Sequence, residues 1–226
     1  RAGSGENCDN GAFGHTGHDG GSGGDGGAIR NAGTATIRNS RFTGNDGGQG
    51  GTGGNCTGTD IFSVNRSVGS GGAGGRGGAI RNDSGATLLI QHCFFAQNEG
   101  GLGGSMGTVA GNNSGANGGV GGAGGAISSD GTLTIEDTSI EANRGGKGGP
   151  ATVGGSHGGN GGGMSITGGT MTIRRTGLTS NVSGNRGSGT APNARAGQGA
   201  GMHTAVSGTI ENLTAFEEEV RRGLAR

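Results

Sequence analysis

The stretch GGAIRNAGTATIRNSRFTGN, residues 26–45, decides the fold because it recurs along the chain. Related copies occupy residues 77–98, 124–143 and 161–181, and a fifth copy begins at Gly199. Apolar residues alternate with polar ones inside each copy, as Ala35 and Ile37 do with Thr34 and Thr36, and this period of two is typical of a β-strand. Units of this length that resemble one another indicate a solenoid, in which each unit stacks on the next.

The second half of each unit keeps a fixed spacing. Phe42 follows Ile37 by five residues, and Asn45 comes three residues later. We expect the apolar positions to form inward columns: Ile29, Ile37, Phe42, Ile80, Ile90, Phe95, Ile127, Ile135, Ile140, Ile173 and Leu178. The asparagines are predicted to hydrogen-bond along the solenoid, as asparagine ladders do in cross-β stacks. They are Asn45, Asn98, Asn143 and Asn181.

The composition fits a solenoid better than a globular domain. The chain has 226 residues, 64 of them glycine, and only 27% are hydrophobic. Such a low apolar content would indicate disorder if the units did not keep their register. The zero net charge argues against a nucleic-acid or anionic-membrane partner. No apolar run approaches the ~20 residues of a membrane span. No signal peptide is visible, and a start within the pattern suggests a mature or trimmed piece.

The connectors between units carry their own period of three. Gly-Gly-X triplets occur in residues 46–52, 99–105 and 144–150, directly after three of the four asparagines, and again before the next unit in residues 71–76 and 118–123. Three residues per turn is the period of polyproline II, and glycine allows neighbouring backbones to approach closely. We therefore expect outgoing and returning polyglycine-II-like arms that stack and exchange backbone hydrogen bonds. Flexible glycine-rich loops are the alternative.

The end of the chain differs from the repeats. Thr214 is a helix-capping residue, acidic residues follow it, and arginines come one turn later. This pattern predicts a short helical cap over residues 214–226 that covers the open edge of a solenoid formed by residues 1–213. Residues 1–25 are interpreted as an incomplete first coil. A helix that docks on a partner is the other interpretation.

Few residues suggest chemistry. Cys8 and Cys56 fall at nearly the same position of adjacent coils, whose ~4.8 Å spacing suits a disulfide. Cys93 aligns with small residues, so we expect a buried, inert thiol. His15 and His18 have a His-x-x-His spacing without a second pair of ligands, which predicts no metal site. We also expect no cofactor and no catalytic residues, because the carboxylates occupy different columns and do not converge on one cleft.

Two ranks of outward threonines form a further candidate surface. Thr34, Thr132 and Thr170 belong to the first rank, and Thr134 and Thr172 to the second. Such ranks suggest an ice-binding solenoid, although threonine is also a good strand former on a solvated face. Arginines near these columns interrupt a uniform hydroxyl lattice: Arg30, Arg38, Arg81 and Arg174. The edge of the arms adds Gln49, Leu102 and Lys147 as candidate contact residues.

The pairing of Gly-Gly-Ala-Ile with a downstream Phe-x-x-Asn resembles the repeat of polymorphic outer-membrane proteins, the chlamydial autotransporter adhesins. The matching segments are 26–29, 77–80 and 124–127 for the first motif, and 42–45 and 95–98 for the second. The resemblance implies a right-handed parallel β-helix of about five coils, export, and a surface or adhesive role. The Gly-Gly-X arms depart from that pattern and look more like the polyglycine-II stacks of certain phage tail-tip adhesins.

The expected function is therefore that of a non-enzymatic structural or adhesive protein, outside the cell or at its surface. It would act as a filament subunit, through self-association, or by contact with a surface receptor or glycan. Ice binding and a carbohydrate-active β-helix enzyme are the alternatives.

Overall fold

The computed structural model describes residues 2–7, 17–56, 67–108, 116–151, 156–189 and 194–216. Within these ranges the chain forms short strands and no helix. The strands are β1 (Ile29–Asn31), β2 (Thr34–Arg38), β3 (Arg41–Thr43), β4 (Ile80–Asn82), β5 (Thr87–Gln91), β6 (Phe94–Ala96), β7 (Ile127–Ser129), β8 (Thr132–Glu136), β9 (Ser139–Glu141), β10 (Met164–Ile166), β11 (Met171–Arg174), β12 (Gly177–Thr179), β13 (Met202–Thr204), β14 (Gly208–Glu211) and β15 (Thr214–Phe216).

Each coil contributes one strand to each of three parallel sheets. The first sheet has the order β1-β4-β7-β10-β13, the second β2-β5-β8-β11-β14, and the third β3-β6-β9-β12-β15. Equivalent positions of neighbouring coils are paired directly, so that Ile37 faces Ile90 and Ile90 faces Ile135. The predicted parallel β-solenoid is therefore confirmed.

The core is a set of stacked apolar columns inside the three sheets. Ile90, Phe95 and Ile135 are completely buried, and full burial of such a side chain contributes about 1.5–3 kcal/mol. The Phe42 and Phe95 rings stack with centroids 4.8 Å apart and planes inclined by 6°. Phe42 is only partly buried, because the first coil lies at the edge of the sheets and packs against a neighbouring coil on one side only.

The glycine-rich connectors form two layers of arms beside the solenoid. The outgoing layer contains residues 46–56, 99–108, 144–151 and 182–189, and the return layer contains residues 67–78, 116–125, 156–162 and 194–200. Within the outgoing layer, every third amide donates to the next arm: Gly47 to Glu99, Gly50 to Leu102 and Gly53 to Ser105, each at 2.9 Å. The period of three expected for polyglycine II is thus present in the hydrogen bonds.

A second set of hydrogen bonds joins the two layers. Gly101 donates to the Gly75 carbonyl at 2.8 Å, and Gly104 donates to the Gly72 carbonyl at the same distance. In each turn, two of the three amide N–H groups therefore donate to carbonyls of neighbouring arms. These bonds satisfy the hydrogen-bonding requirement of the buried backbone. The predicted stacking of the arms is confirmed.

Glycine is required in the arms because neighbouring backbones occupy the space of a side chain. A Cβ added at Gly104 would lie 2.0 Å from the Gly51 carbonyl oxygen. Where an arm turns into a strand, the requirement is conformational. Gly124, the first glycine of its Gly-Gly-Ala-Ile motif, has a φ of +72°, which favours glycine.

The prediction of a helix that begins at Thr214 is wrong. Thr214–Phe216 form β15, which pairs in parallel with β12 and extends the third sheet. An available sheet edge outweighed the local capping pattern, since propensity is a weak signal against tertiary pairing. The rest of the predicted cap, residues 217–226, lies outside the described residues. Among the described residues there is no helix with the length and apolarity needed to cross a membrane.

Candidate functional site

The outward side of the second sheet carries two ranks of hydroxyl-bearing residues, which we call the threonine face. The first rank is Thr34, Thr87, Thr132, Thr170 and Ser207, and the second is Thr36, Leu89, Thr134, Thr172 and Thr209. In the first rank the Oγ1 atoms of Thr170 and Thr132 lie 3.3 Å apart, within hydrogen-bond distance. The structure thus brings together all five threonines that the sequence placed on this surface.

The spacing of the threonine face is set by the backbone. Parallel strands are about 4.8 Å apart, and alternate residues along a strand are separated by roughly 6.6 Å. Thr34 and Thr170 are exposed and Thr134 and Thr172 are half-buried, so the two ranks are accessible to solvent. Threonine has few side-chain rotamers, because its β-branched carbon restricts χ1. The hydroxyls therefore form a two-dimensional array with little freedom, interrupted at Leu89.

A third, charged rank borders the threonine face at the end of these strands. It consists of Arg38, Gln91, Glu136, Arg174 and Glu211. Arg38 donates to Gln91 at 2.7 Å, Gln91 donates to Glu136 at 2.7 Å, and Arg174 lies 3.1 Å from Glu211. These contacts bind the polar groups to one another: Glu136 and Glu211 lie beside Arg174, whereas Arg38 is bound by the neutral Gln91 amide.

Two of the four arginines expected to interrupt the face lie elsewhere. Arg30 and Arg81 belong to β1 and β4 of the first sheet, so only Arg38 and Arg174 border the threonines. The Arg81 side chain is 3% exposed and contacts Asp83 at 3.2 Å and Asp130 at closer range. Burial opposes ionisation of Asp130, but hydrogen bonds from Arg81 and Thr167 and the arginine charges hold its pKa below the usual value.

The edge of the outgoing layer presents the second predicted contact surface. Gln49, Leu102 and Lys147 are all exposed, and Leu102 is 41% exposed. One triplet earlier, Asp46, Glu99 and Arg144 are neighbours on successive arms. Burial raises the pKa of Glu99, Arg144 opposes this shift, and Asp46 adds to it. The side chains of this surface differ in charge and in size, unlike those of the threonine face.

The asparagine column forms a continuous hydrogen-bonded ladder. Asn45 Nδ2 donates to Asn98 at 2.8 Å, Asn98 to Asn143 at 2.8 Å, and Asn143 to Asn181 at 3.0 Å. The same residues also bind the backbone, as Asn181 Nδ2 does at the Ile140 carbonyl. Their role in the structure is therefore to fix the turn between the third sheet and the outgoing arms.

Sequence reasoning missed a second ladder at the end of the first sheet. Asn31 donates to Asn82 at 2.8 Å, and Asn82 donates to Ser129 at 3.0 Å. The repeated Ile-Arg-Asn of the first two units contained the signal.

The two cysteines among the described residues are both buried. Cys93 is a free thiol, and Cys56 is disulfide-bonded. Cys8, the predicted disulfide partner of Cys56, lies outside the described residues. So does His15, which was not expected to bind a metal. In the part of the chain that the structure describes, no group of three histidine, cysteine, aspartate or glutamate residues could hold a metal ion.

The corner between the second and third sheets was not predicted as a site. An open groove there is lined by side chains of four coils, among them Arg41, His92, Phe94, Asp137 and Arg175. Arg175 binds both oxygens of Asp137, at 2.6 and 2.8 Å. This hydrogen bonding lowers the pKa of Asp137 and raises that of Arg175. The five residues become visible as a group only when the units are aligned column by column.

Comparisons with known proteins give little that bears on identity. No family model matches the chain, and no curated protein matches it. One match among solved structures is the nine polyproline type II helical bundle springtail antifreeze protein from Granisotoma rainieri, whose crystal waters match the ice lattice. The identity is 23%, over 87% of this chain and 98% of that chain, with a TM-score of 0.18. This TM-score is too low to indicate a common fold.

Proposed function

We propose that the protein is an extracellular ice-binding protein that adsorbs to ice through its threonine face. The observation that supports this function is the register of the second sheet, which pairs Thr34, Thr87 and Thr132 in one rank and Thr134, Thr172 and Thr209 in the other. Each threonine hydroxyl both donates and accepts hydrogen bonds, and ordered waters bridge such groups at low cost. An array with a fixed repeat suits a crystalline water surface, because successive coils present hydroxyls at the same spacing, except at Leu89.

The interior supports such an array. Along each strand of the second sheet an isoleucine comes between the second threonine rank and the charged rank, and its side chain points to the interior. Ile90, Ile135 and Ile173 at this position are fully buried. Close packing of fully buried side chains holds the strands in one position. The threonine face therefore keeps its spacing without needing to order on contact, and adsorption loses little conformational entropy.

The charged rank does not prevent adsorption in this arrangement. Glu136 accepts from Gln91 and lies 3.5 Å from Arg174, which also contacts Glu211. Paired groups have fewer free donors and acceptors with which to organise liquid water. The charges are also confined to one edge, whereas the two hydroxyl ranks are adjacent.

The experiment compares two threonine-to-lysine variants in the same coil. Thr172 and Thr179 are both half-buried strand residues, but Thr172 lies on the threonine face and Thr179 lies on the third sheet. Thermal hysteresis and inhibition of ice recrystallisation are measured for the wild type, Thr172→Lys and Thr179→Lys. We expect activity in the wild type and in Thr179→Lys, and a loss of at least about tenfold in Thr172→Lys.

Two results would count against the proposal. The first is a wild-type protein that leaves ice growth unchanged at millimolar concentration. The second is equal loss of activity in both variants, because it would show that the threonine face has no special role. Circular dichroism of each variant checks that the solenoid is folded.

A structural or adhesive role outside the cell is the second candidate function. It is favoured by exposed apolar side chains on both arm layers, Leu102 at 41% and Val120 at 44%, which suit contact with another protein surface. The repeat that resembles surface adhesins and the predicted Cys8–Cys56 disulfide also fit an exported protein. The partners would be further copies of the chain in a filament, or a surface receptor or glycan. Light scattering and electron microscopy test for fibres, and a monomer at all concentrations contradicts the filament.

A further inference from the structure

The corner groove contains a gap, because the side chains in one column become smaller from the first coil to the fourth. Along the first column of the third sheet the paired residues are Arg41, Phe94, Ser139 and Gly177. The position that a Cβ of Gly177 would take has no other heavy atom within 4 Å. Two large residues are therefore followed by two small ones, and the space beside Ser139 and Gly177 is open. We call this space the corner notch.

One end of the corner notch is an aromatic ring. The Arg41 guanidinium carbon lies 4.4 Å from the centroid of the Phe94 ring and covers the ring face toward the first coil. The other face is turned toward Ser139 in the third coil, where the side chain is small. Phe94 thus offers one free face to a ligand, and apolar ring faces are suitable surfaces for stacking.

The wall of the corner notch consists of a charged pair with spare hydrogen-bonding capacity. Arg175 uses Nε and one Nη to bind Asp137, which leaves three of its five N–H donors free of that pair. His92 Nδ1 is 4.0 Å from Asp137 Oδ2. The side chains of His92 and Arg175 are 61% and 52% exposed, so they are accessible from solvent.

The backbone fixes these three side chains in one column. His92, Asp137 and Arg175 have φ angles of +51°, +47° and +44°. Residues other than glycine are uncommon in this left-handed region, but here it recurs at the same turn of every coil, since Asn39 and Asn212 have φ angles of +49° and +52°. The turn therefore places the three polar side chains side by side along the solenoid.

We propose that the corner notch binds one hexuronate residue of an acidic polysaccharide. The apolar face of the pyranose ring packs on Phe94, and its hydroxyls bind Asp137 and Arg175. Two arginines, Arg41 and Arg175, and one carboxylate, Asp137, line the groove. This local excess of positive charge favours a sugar with a carboxylate over a neutral one, while Glu136 and Glu211 act on Arg175 from outside the groove. This site is separate from the threonine face and does not depend on ice binding.

The test uses two glycine-to-leucine variants that fill open space. Gly177→Leu fills the corner notch, while Gly33→Leu is the matched control, because a Cβ there also has no neighbour within 4 Å and neither glycine has a left-handed φ. Calorimetric titrations use oligogalacturonate, neutral cellohexaose and inorganic sulfate as probes. We expect the wild type and Gly33→Leu to bind oligogalacturonate, and Gly177→Leu to bind it at least about tenfold more weakly.

Several outcomes would overturn the inference. They are no binding of oligogalacturonate to the wild type, equal binding of cellohexaose, unchanged affinity in Gly177→Leu, and complete displacement of oligogalacturonate by sulfate at equal concentration. If Gly177→Leu does not fold, Arg175→Gln replaces it, and the same tenfold loss is expected. Thermal hysteresis should be unchanged in Gly177→Leu, which separates this site from the threonine face.

Discussion

Replacing Gly103 by alanine should separate the arms while leaving the sheets folded. The added Cβ would lie 1.9 Å from the Gly119 carbonyl oxygen and 2.7 Å from the Gly149 amide nitrogen. These two atoms are joined by a 2.8 Å hydrogen bond, so the methyl group would be forced into it. Displacement of the arm would also strain the 2.9 Å bond from Gly103 to Lys147.

The size of this effect follows from the groups left without partners. Two or three buried backbone groups lose a hydrogen bond, and each costs about 1–3 kcal/mol. We expect Gly103→Ala to lower the free energy of unfolding by about 2–9 kcal/mol in urea titrations. Hydrogen exchange should accelerate at Gly104 and Gly119 and stay slow at Ile90 and Ile135.

Gly24→Ala is the matched control for this substitution. Gly24 lies in the segment before β1, which packs on the arms because its carbonyl accepts from Gly48 at 2.8 Å, but a Cβ added there has no neighbour within 4 Å, and its φ is not left-handed. The variant should be neutral or up to about 1 kcal/mol more stable, because alanine restricts the unfolded chain. Equal stability changes in Gly103→Ala and Gly24→Ala would refute the argument that close backbone packing selects glycine.

Three further predictions concern the core, the cysteines and pH. Ile135→Ala removes a fully buried side chain and should cost about 2–5 kcal/mol in chemical denaturation, whereas an unchanged midpoint would contradict the core assignment. Peptide mapping without reduction should recover Cys8 linked to Cys56 and Cys93 free, and any disulfide of Cys93 would contradict the column alignment. The pKa of Asp130 is lowered in the folded state, so its contribution to stability is present above the ordinary value near 3.9 and is lost as the pH falls below it. Asp130→Asn should therefore flatten the stability profile in acid, and a parallel profile would show that the Arg81 contact has no net effect.

Much of the fold was predictable because equivalent positions of successive repeats are paired in the sheets. The spacing of Ile37, Phe42 and Asn45 recurs in each unit, and it gave the columns and the asparagine ladder. The Gly-Gly-X period likewise predicted the arms, since only glycine allows such close backbones. The capping pattern at Thr214 predicted a helix wrongly, because it reflects only the local preference of the sequence. The strand forms because residues 214–216 pair with β12 of the preceding coil.

The candidate site was only half predictable from sequence. The two threonine ranks followed from strand alternation, but Arg30 and Arg81 were placed near them wrongly, because proximity in sequence does not show which sheet a strand joins. The corner notch depends on a difference in size between Phe94 and Gly177 in one column, and on the approach of Arg175 to Asp137. Such contacts between coils require the register, which the structure supplies.

The most direct test of the central claim, adsorption of the threonine face to ice, is an ice-affinity measurement. Protein labelled at its N-terminal amine is frozen slowly into a single ice crystal, and the crystal is imaged by fluorescence. Adsorption predicts fluorescence on defined planes for the wild type and for Thr179→Lys, and dark ice for Thr172→Lys. Wild-type protein that is excluded into the remaining liquid, with a dark crystal, would contradict the claim.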